Sequence, residues 1–135
     1  MTKVKVCGLK RPEDMAYANE LLPDYVGFVF AKVSKRYVSP ETAALLRAML
    51  LPQIVSVGVF VDEPIEQVAA LLESDVIGMA QLHGTETAAY IRALRSRSQA
   101  PIIQAFRIAT GDDVQRAEQS EADYILLTHG HFDHV

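Results

Sequence analysis

Short apolar runs recur along this chain at intervals of roughly 20–25 residues, each followed by a stretch with helical patterning. That alternation constrains the fold more than any other feature. The runs are rich in Val, Ile and Phe, and they predict strands over residues 3–7, 25–30, 54–60, 77–82, 102–107 and 124–128. Five helices fall between them. Pro12-Glu13-Asp14 starts the first, Ser39-Pro40-Glu41 the second, Asp62-Glu63-Pro64 the third, Thr85-Glu86 the fourth and Thr110-Gly111-Asp112-Asp113 the fifth. Leu45, Leu46, Met49 and Leu50 are expected as the apolar stripe of the second helix, and Val68, Leu71 and Leu72 as that of the third.

Strands joined through helices pair in parallel, so the chain is read as α/β. Periodicity leaves two architectures open, a doubly wound open sheet and a (β/α)8 barrel. Nothing like Gly-x-Gly-x-x-Gly follows the first strand, so a dinucleotide fold has no support. Val57-Gly58-Val59-Phe60 echoes Val26-Gly27-Phe28-Val29-Phe30, which hints at a repeating barrel unit.

At 135 residues the chain fits one domain, with residues 1–128 as a partial barrel and residues 129–135 as a His-rich tail. A formal charge of −4 without a basic stripe argues against nucleic acid as a partner. No apolar run approaches the ~18–20 residues that span a bilayer, and the N-terminus carries no signal-peptide core, so no membrane partner is expected. The single cysteine excludes an internal disulfide and fits a reducing cytoplasm.

Chemistry-bearing residues sit just downstream of different strands. Cys7 follows the first, Arg36 the second and His83 the fourth, with Gln81 two residues before His83 on the same strand face. In a parallel α/β fold the downstream ends share one rim, where sites are built. Each residue also has a plain structural reading. Cys7 would be a small buried hydrophobe, Arg36 an exposed loop charge and His83 a satisfied structural histidine.

Five segments then resemble the phosphoribosylanthranilate isomerase family in order and spacing, covering residues 1 to about 127. They are Val4-Lys5-Val6-Cys7-Gly8-Leu9, Val26-Gly27-Phe28-Val29-Phe30, Ser34-Lys35-Arg36-Tyr37-Val38-Ser39-Pro40, Val57-Gly58-Val59-Phe60-Val61 and Gln81-Leu82-His83-Gly84. The resemblance implies a TIM-type (β/α)8 barrel, here incomplete, with about six parallel strands and five helices. It implies an Amadori rearrangement of N-(5-phosphoribosyl)anthranilate in tryptophan biosynthesis, without metal or organic cofactor. It also implies Cys7 as the catalytic base, Arg36 as the ligand of the anthranilate carboxylate, and His83 and Gln81 as substrate-binding residues.

The chain departs from the family at the sixth strand. The resemblance implies an acidic aspartate after Ile125-Leu126-Leu127, and Thr128 stands there. Asp123 begins that strand and is expected at the opposite rim. The family's phosphate loops after strands seven and eight have no counterpart, so weak or absent turnover is expected. An arc with open edges and an uncovered apolar face is also expected to associate into a homo-oligomer or to rearrange its sheet.

The tail reads differently. His129-Gly130-His131-Phe132-Asp133-His134 resembles the metal motif of the metallo-β-lactamase superfamily. That resemblance implies a zinc-type site from His129, His131, Asp133 and His134. The alternative is a solvated tail with adventitious metal affinity. Three functions therefore stay open: an isomerase, a non-catalytic self-associating barrel fragment, and a metal-dependent hydrolase.

Overall fold

The computed structural model of the chain describes residues 2–128. Six strands alternate with five helices: β1 (Lys5–Cys7), α1 (Pro12–Leu21), β2 (Tyr25–Val29), α2 (Pro40–Met49), β3 (Val55–Phe60), α3 (Ile65–Glu73), β4 (Met79–Leu82), α4 (Ala88–Arg95), β5 (Ile102–Arg107), α5 (Gly111–Glu118) and β6 (Tyr124–Thr128). The strands form one parallel sheet in the order β1-β2-β3-β4-β5-β6. Strand order equal to chain order means that every crossover runs the same way around, and the sheet is a half-barrel rather than a doubly wound sheet.

Pleating divides each strand between two environments. The outward residues Val26, Phe28, Phe60, Ala80, Leu82 and Ile102 pack with Met15, Leu46, Val68, Leu72, Ile91 and Leu94 of the helices in one buried cluster. Phe30 and Phe60, the ends of the two echoing segments, stack with ring centroids 5.3 Å apart. The inward residues Val29, Val57, Val59, Met79, Gln81 and Ala105 are buried as well. The inner face is thus covered in its middle, partly covered at Lys5, Cys7, Tyr25 and Ile103, and most open on the β6 side. On β6, Tyr124, Ile125, Leu126 and Leu127 are 54%, 41%, 37% and 59% exposed, so both faces of that strand meet solvent.

Local chemistry explains most boundaries and corrects some. Ser39 caps α2 by accepting from the Thr42 N–H at 3.1 Å, with Pro40 in the first helical position. The expected stripe on α2 shifts: Ala43, Leu46 and Leu50 are buried, whereas Leu45 and Met49 are exposed. Helix α3 begins at Ile65, after Asp62 has taken a left-handed conformation, and α4 begins at Ala88, with Thr87 accepting from the Tyr90 N–H. Thus Asp62 and Glu86 lie in the preceding loops, not in the first turns of helices.

Among the described residues, no helix is long and apolar enough to cross a membrane.

Candidate active site

Two glycines draw the sequence motifs together. Cys7 pairs with Gly27 in the β1–β2 ladder, and a Cβ at Gly27 would lie 2.7 Å from Cys7 Sγ. The thiol thus occupies the space that any other residue at position 27 would fill. Gly8, with φ of +85°, turns the chain at the rim, and a Cβ there would lie 2.4 Å from Cδ of Arg36. The Arg36 side chain therefore lies across the residue that follows Cys7.

The loop carrying Arg36 is pinned at several points. Val38 N–H donates to the Val29 carbonyl at 2.9 Å, Arg36 N–H donates to Ser34 Oγ at 3.1 Å, and Lys10 Nζ reaches the Lys35 carbonyl at 2.9 Å. These bonds hold the exposed guanidinium over the β1 end. A planar fork of donors in such a place suits a carboxylate.

Across the interior, β4 delivers Gln81 and then His83. Gln81 is buried, and its Oε1 accepts from Lys5 Nζ. Lys5 and Cys7 are alternate residues on β1 and share its inward face. Burial holds the Lys5 ammonium below its usual range, and the neighbouring Cys7 opposes that shift. His83 is half-buried, and its backbone N–H donates to the Phe60 carbonyl at 2.8 Å. Burial, together with the charge of Lys5, pushes its imidazole down to about 4, so it is neutral at physiological pH. Lys5, Cys7, Gln81 and His83 thus form one polar group on an otherwise apolar inner wall.

Lys5 belongs to this group without carrying a motif of its own; its only signal in the sequence is its position two residues before Cys7 on a strand. A clasp below His83 likewise has no signature in the sequence. Glu86 Oε2 accepts from the Asp62 N–H at 2.8 Å and Oε1 from the Gly84 N–H at 2.9 Å. Asp62 Oδ1 in turn accepts from the N–H and hydroxyl of Thr85 at 2.7 and 3.0 Å. The loops after β3 and β4 are tied to each other through these carboxylates. Glu86 is buried, and burial raises its carboxyl above the usual range.

Other expected positions are settled plainly. Asp14 sits in the first turn of α1, accepting from the Arg11 N–H at 3.1 Å. Asp123 lies at the upstream rim, where its carboxylate accepts from the Ile102 N–H at 2.8 Å. Thr128 ends β6 at the same rim as Cys7, with its carbonyl accepting from the Ile108 N–H at 2.7 Å. His129, His131, Asp133 and His134 lie outside the described residues. Among the described residues, no three His, Cys, Asp or Glu side chains are grouped to hold a metal. A cavity of about 520 Å3 opens on the β5 side of this group, between α4, α5 and β5, with His83, Glu86, Gln104 and Arg116 in its lining and neither Cys7 nor Arg36.

The family model described as N-(5'-phosphoribosyl)anthranilate (PRA) isomerase matches residues 4–131. A protein of Lachnoclostridium phytofermentans named N-(5'-phosphoribosyl)anthranilate isomerase is 44% identical over 124 residues, covering 92% of this chain and 56% of the relative. The chain thus spans little more than half of that relative's length. The solved phosphoribosyl anthranilate isomerase from Thermotoga maritima superposes with a TM-score of 0.87 at 35% identity, covering 97% of this chain and 63% of that one. A phosphoribosyl anthranilate isomerase in complex with reduced 1-(o-carboxyphenylamino)-1-deoxyribulose 5-phosphate superposes with a TM-score of 0.86 at 34% identity, covering 96% of this chain and 66% of that one.

Proposed function

The chain belongs to the N-(5'-phosphoribosyl)anthranilate isomerase family, and from that premise we propose that it serves the Amadori rearrangement of N-(5-phosphoribosyl)anthranilate in tryptophan biosynthesis, in the cytoplasm and without metal or organic cofactor. The observation that carries this reading is the packing of Arg36 over Gly8, beside a thiol seated on Gly27. Arg36 anchors the anthranilate carboxylate through paired hydrogen bonds. Once the ribose ring has opened, Cys7 as thiolate takes the proton from C2 of the imine, leaving a thiol and an enolamine that becomes the amino ketone. Neutral His83 and Gln81 supply hydrogen bonds to the sugar end of the substrate.

Ring opening requires a proton donor at the ring oxygen, and Thr128 occupies the rim position where the family resemblance puts an aspartate. A hydroxyl is a poor acid at neutral pH, so slow turnover follows. The test is the loss of substrate fluorescence for the chain, for Thr128→Asp and for Cys7→Ala. Slow turnover in the chain, a faster rate in Thr128→Asp and none in Cys7→Ala are expected. Turnover that survives Cys7→Ala, or none in either the chain or Thr128→Asp, would overturn the reading.

The exposure of four consecutive apolar residues on β6 supports a second statement, self-association into a homo-oligomer through that strand. Light scattering at about 50 μM would show a species heavier than one 14.9 kDa chain. A monodisperse monomer would refute it.

A further inference from the structure

Lys5 is a half-buried cation inside the arc, and no step of the rearrangement written above uses it. Taking a charge out of water costs free energy, so a lysine in such a place calls for a compensating interaction. One compensation is visible in Gln81, whose Oε1 accepts from Nζ across the interior although β1 and β4 are separated by two strands. A single neutral acceptor is poor compensation for an ammonium group that has three donors.

A further electrostatic partner is the thiol. Cys7 lies two residues on along the same inward face, and its negative form is the one that a nearby cation stabilises. We propose that Lys5 sets the reactivity of Cys7: its ammonium, held from across the interior by Gln81, stabilises the thiolate and makes Lys5 a positioning residue for the proposed base. Among the described residues, the charged and titratable groups on the Cys7 side of the interior come from three segments: Lys5 from β1, Arg36 from the loop after β2, and His83 from the end of β4. His83 is neutral at working pH and Arg36 lies out at the rim, so among the described residues Lys5 is the cation on the inner side. Burial and the neighbouring Cys7 act in opposite directions on the Lys5 ammonium, so the two groups lie within electrostatic reach of each other.

This inference rests on reading Cys7 as the base, so its test avoids turnover. Cys7 is the single cysteine of the chain, and its alkylation is followed by mass. In folded Lys5→Met, alkylation by iodoacetamide at pH 7 slows about threefold to tenfold, and the alkaline rise of the rate moves to higher pH. The rate with anionic iodoacetate falls further than that with neutral iodoacetamide, which a merely structural role for Lys5 would not produce. Lys5→Arg keeps the fast rate. An unchanged rate and pH profile in folded Lys5→Met, or a Lys5→Arg as slow as Lys5→Met, would overturn the proposal. Should circular dichroism show Lys5→Met unfolded, Gln81→Leu decides the matter: slower alkylation supports the proposal and an unchanged rate refutes it. Cys7-independent turnover beside these alkylation changes would refute the proposed base while leaving the Lys5–Cys7 coupling intact.

Discussion

Gly27 lies directly across the ladder from Cys7, and its missing side chain is the space the thiol occupies: a Cβ there would stand 2.7 Å from Sγ. Gly27→Ala must therefore push the thiol aside or spread β1 from β2, an overpacking cost of about 1–3 kcal/mol. The expected outcome is a lower urea midpoint together with slower Cys7 alkylation. An alanine variant with unchanged alkylation would show that the thiol has room to move.

The contact between Gly8 and Arg36 makes a separate prediction. Gly8→Ala places a methyl carbon 2.4 Å from Arg36 Cδ at a backbone φ of +85°, so the guanidinium must leave its position. In the proposed reaction this raises KM more than it lowers kcat, as does Arg36→Met. Loss of a charged hydrogen bond to the substrate carboxylate, worth about 1.5–3 kcal/mol, corresponds to at least about tenfold in KM. A change confined to kcat would remove Arg36 from substrate binding.

Neutral His83 gives the stability an acid-side dependence. Its folded-state value is depressed from 6.5 to about 4, so the folded protein binds fewer protons than the unfolded chain between those limits. The contribution is complete above about pH 6.5 and is lost as the pH falls through about 4. The chain should lose thermal stability relative to His83→Asn as the pH falls from about 6.5 toward 4, because only the chain has an imidazole to protonate. Parallel curves over that interval would contradict a buried neutral imidazole.

The clasp made by Glu86 is the fourth target. Its two oxygens accept from the N–H groups of Asp62 and Gly84, at 2.8 and 2.9 Å. Glu86→Ala leaves both donors unmatched in a partly buried setting, at about 1–3 kcal/mol each. Hydrogen exchange at the Asp62 and Gly84 amides should accelerate well before global unfolding. Glu86→Gln, which keeps one acceptor, should fall between the two proteins. Protection unchanged in Glu86→Ala would mean that Asp62 and Thr85 hold the loops by themselves.

Much of this molecule was determined locally. The β and α periods of the apolar residues marked all six strands and five helices, and strict β/α alternation implied parallel pairing. Strand-end placement marked Cys7, Arg36 and His83 as residues of one rim, since parallel strands all deliver their downstream residues to the same side of the sheet.

Tertiary structure decided what a one-dimensional pattern cannot encode. Ser39 capped its helix as its type predicts, whereas Glu86 turned back to serve the N–H groups of Gly84 and Asp62, a demand set by a loop more than 20 residues away. Leu45 and Met49 fit an apolar stripe by spacing but face solvent, because α2 packs through Ala43, Leu46 and Leu50. Lys5 reads as a strand charge in sequence. It becomes part of a site only when curvature of the sheet brings Gln81 of β4 within reach of β1. Local chemistry fixed where helices such as α2 begin and which side of the sheet carries the reactive groups. The long-range closure of the arc fixed which of those groups touch, because contacts between residues distant in the chain depend on strand order and coiling.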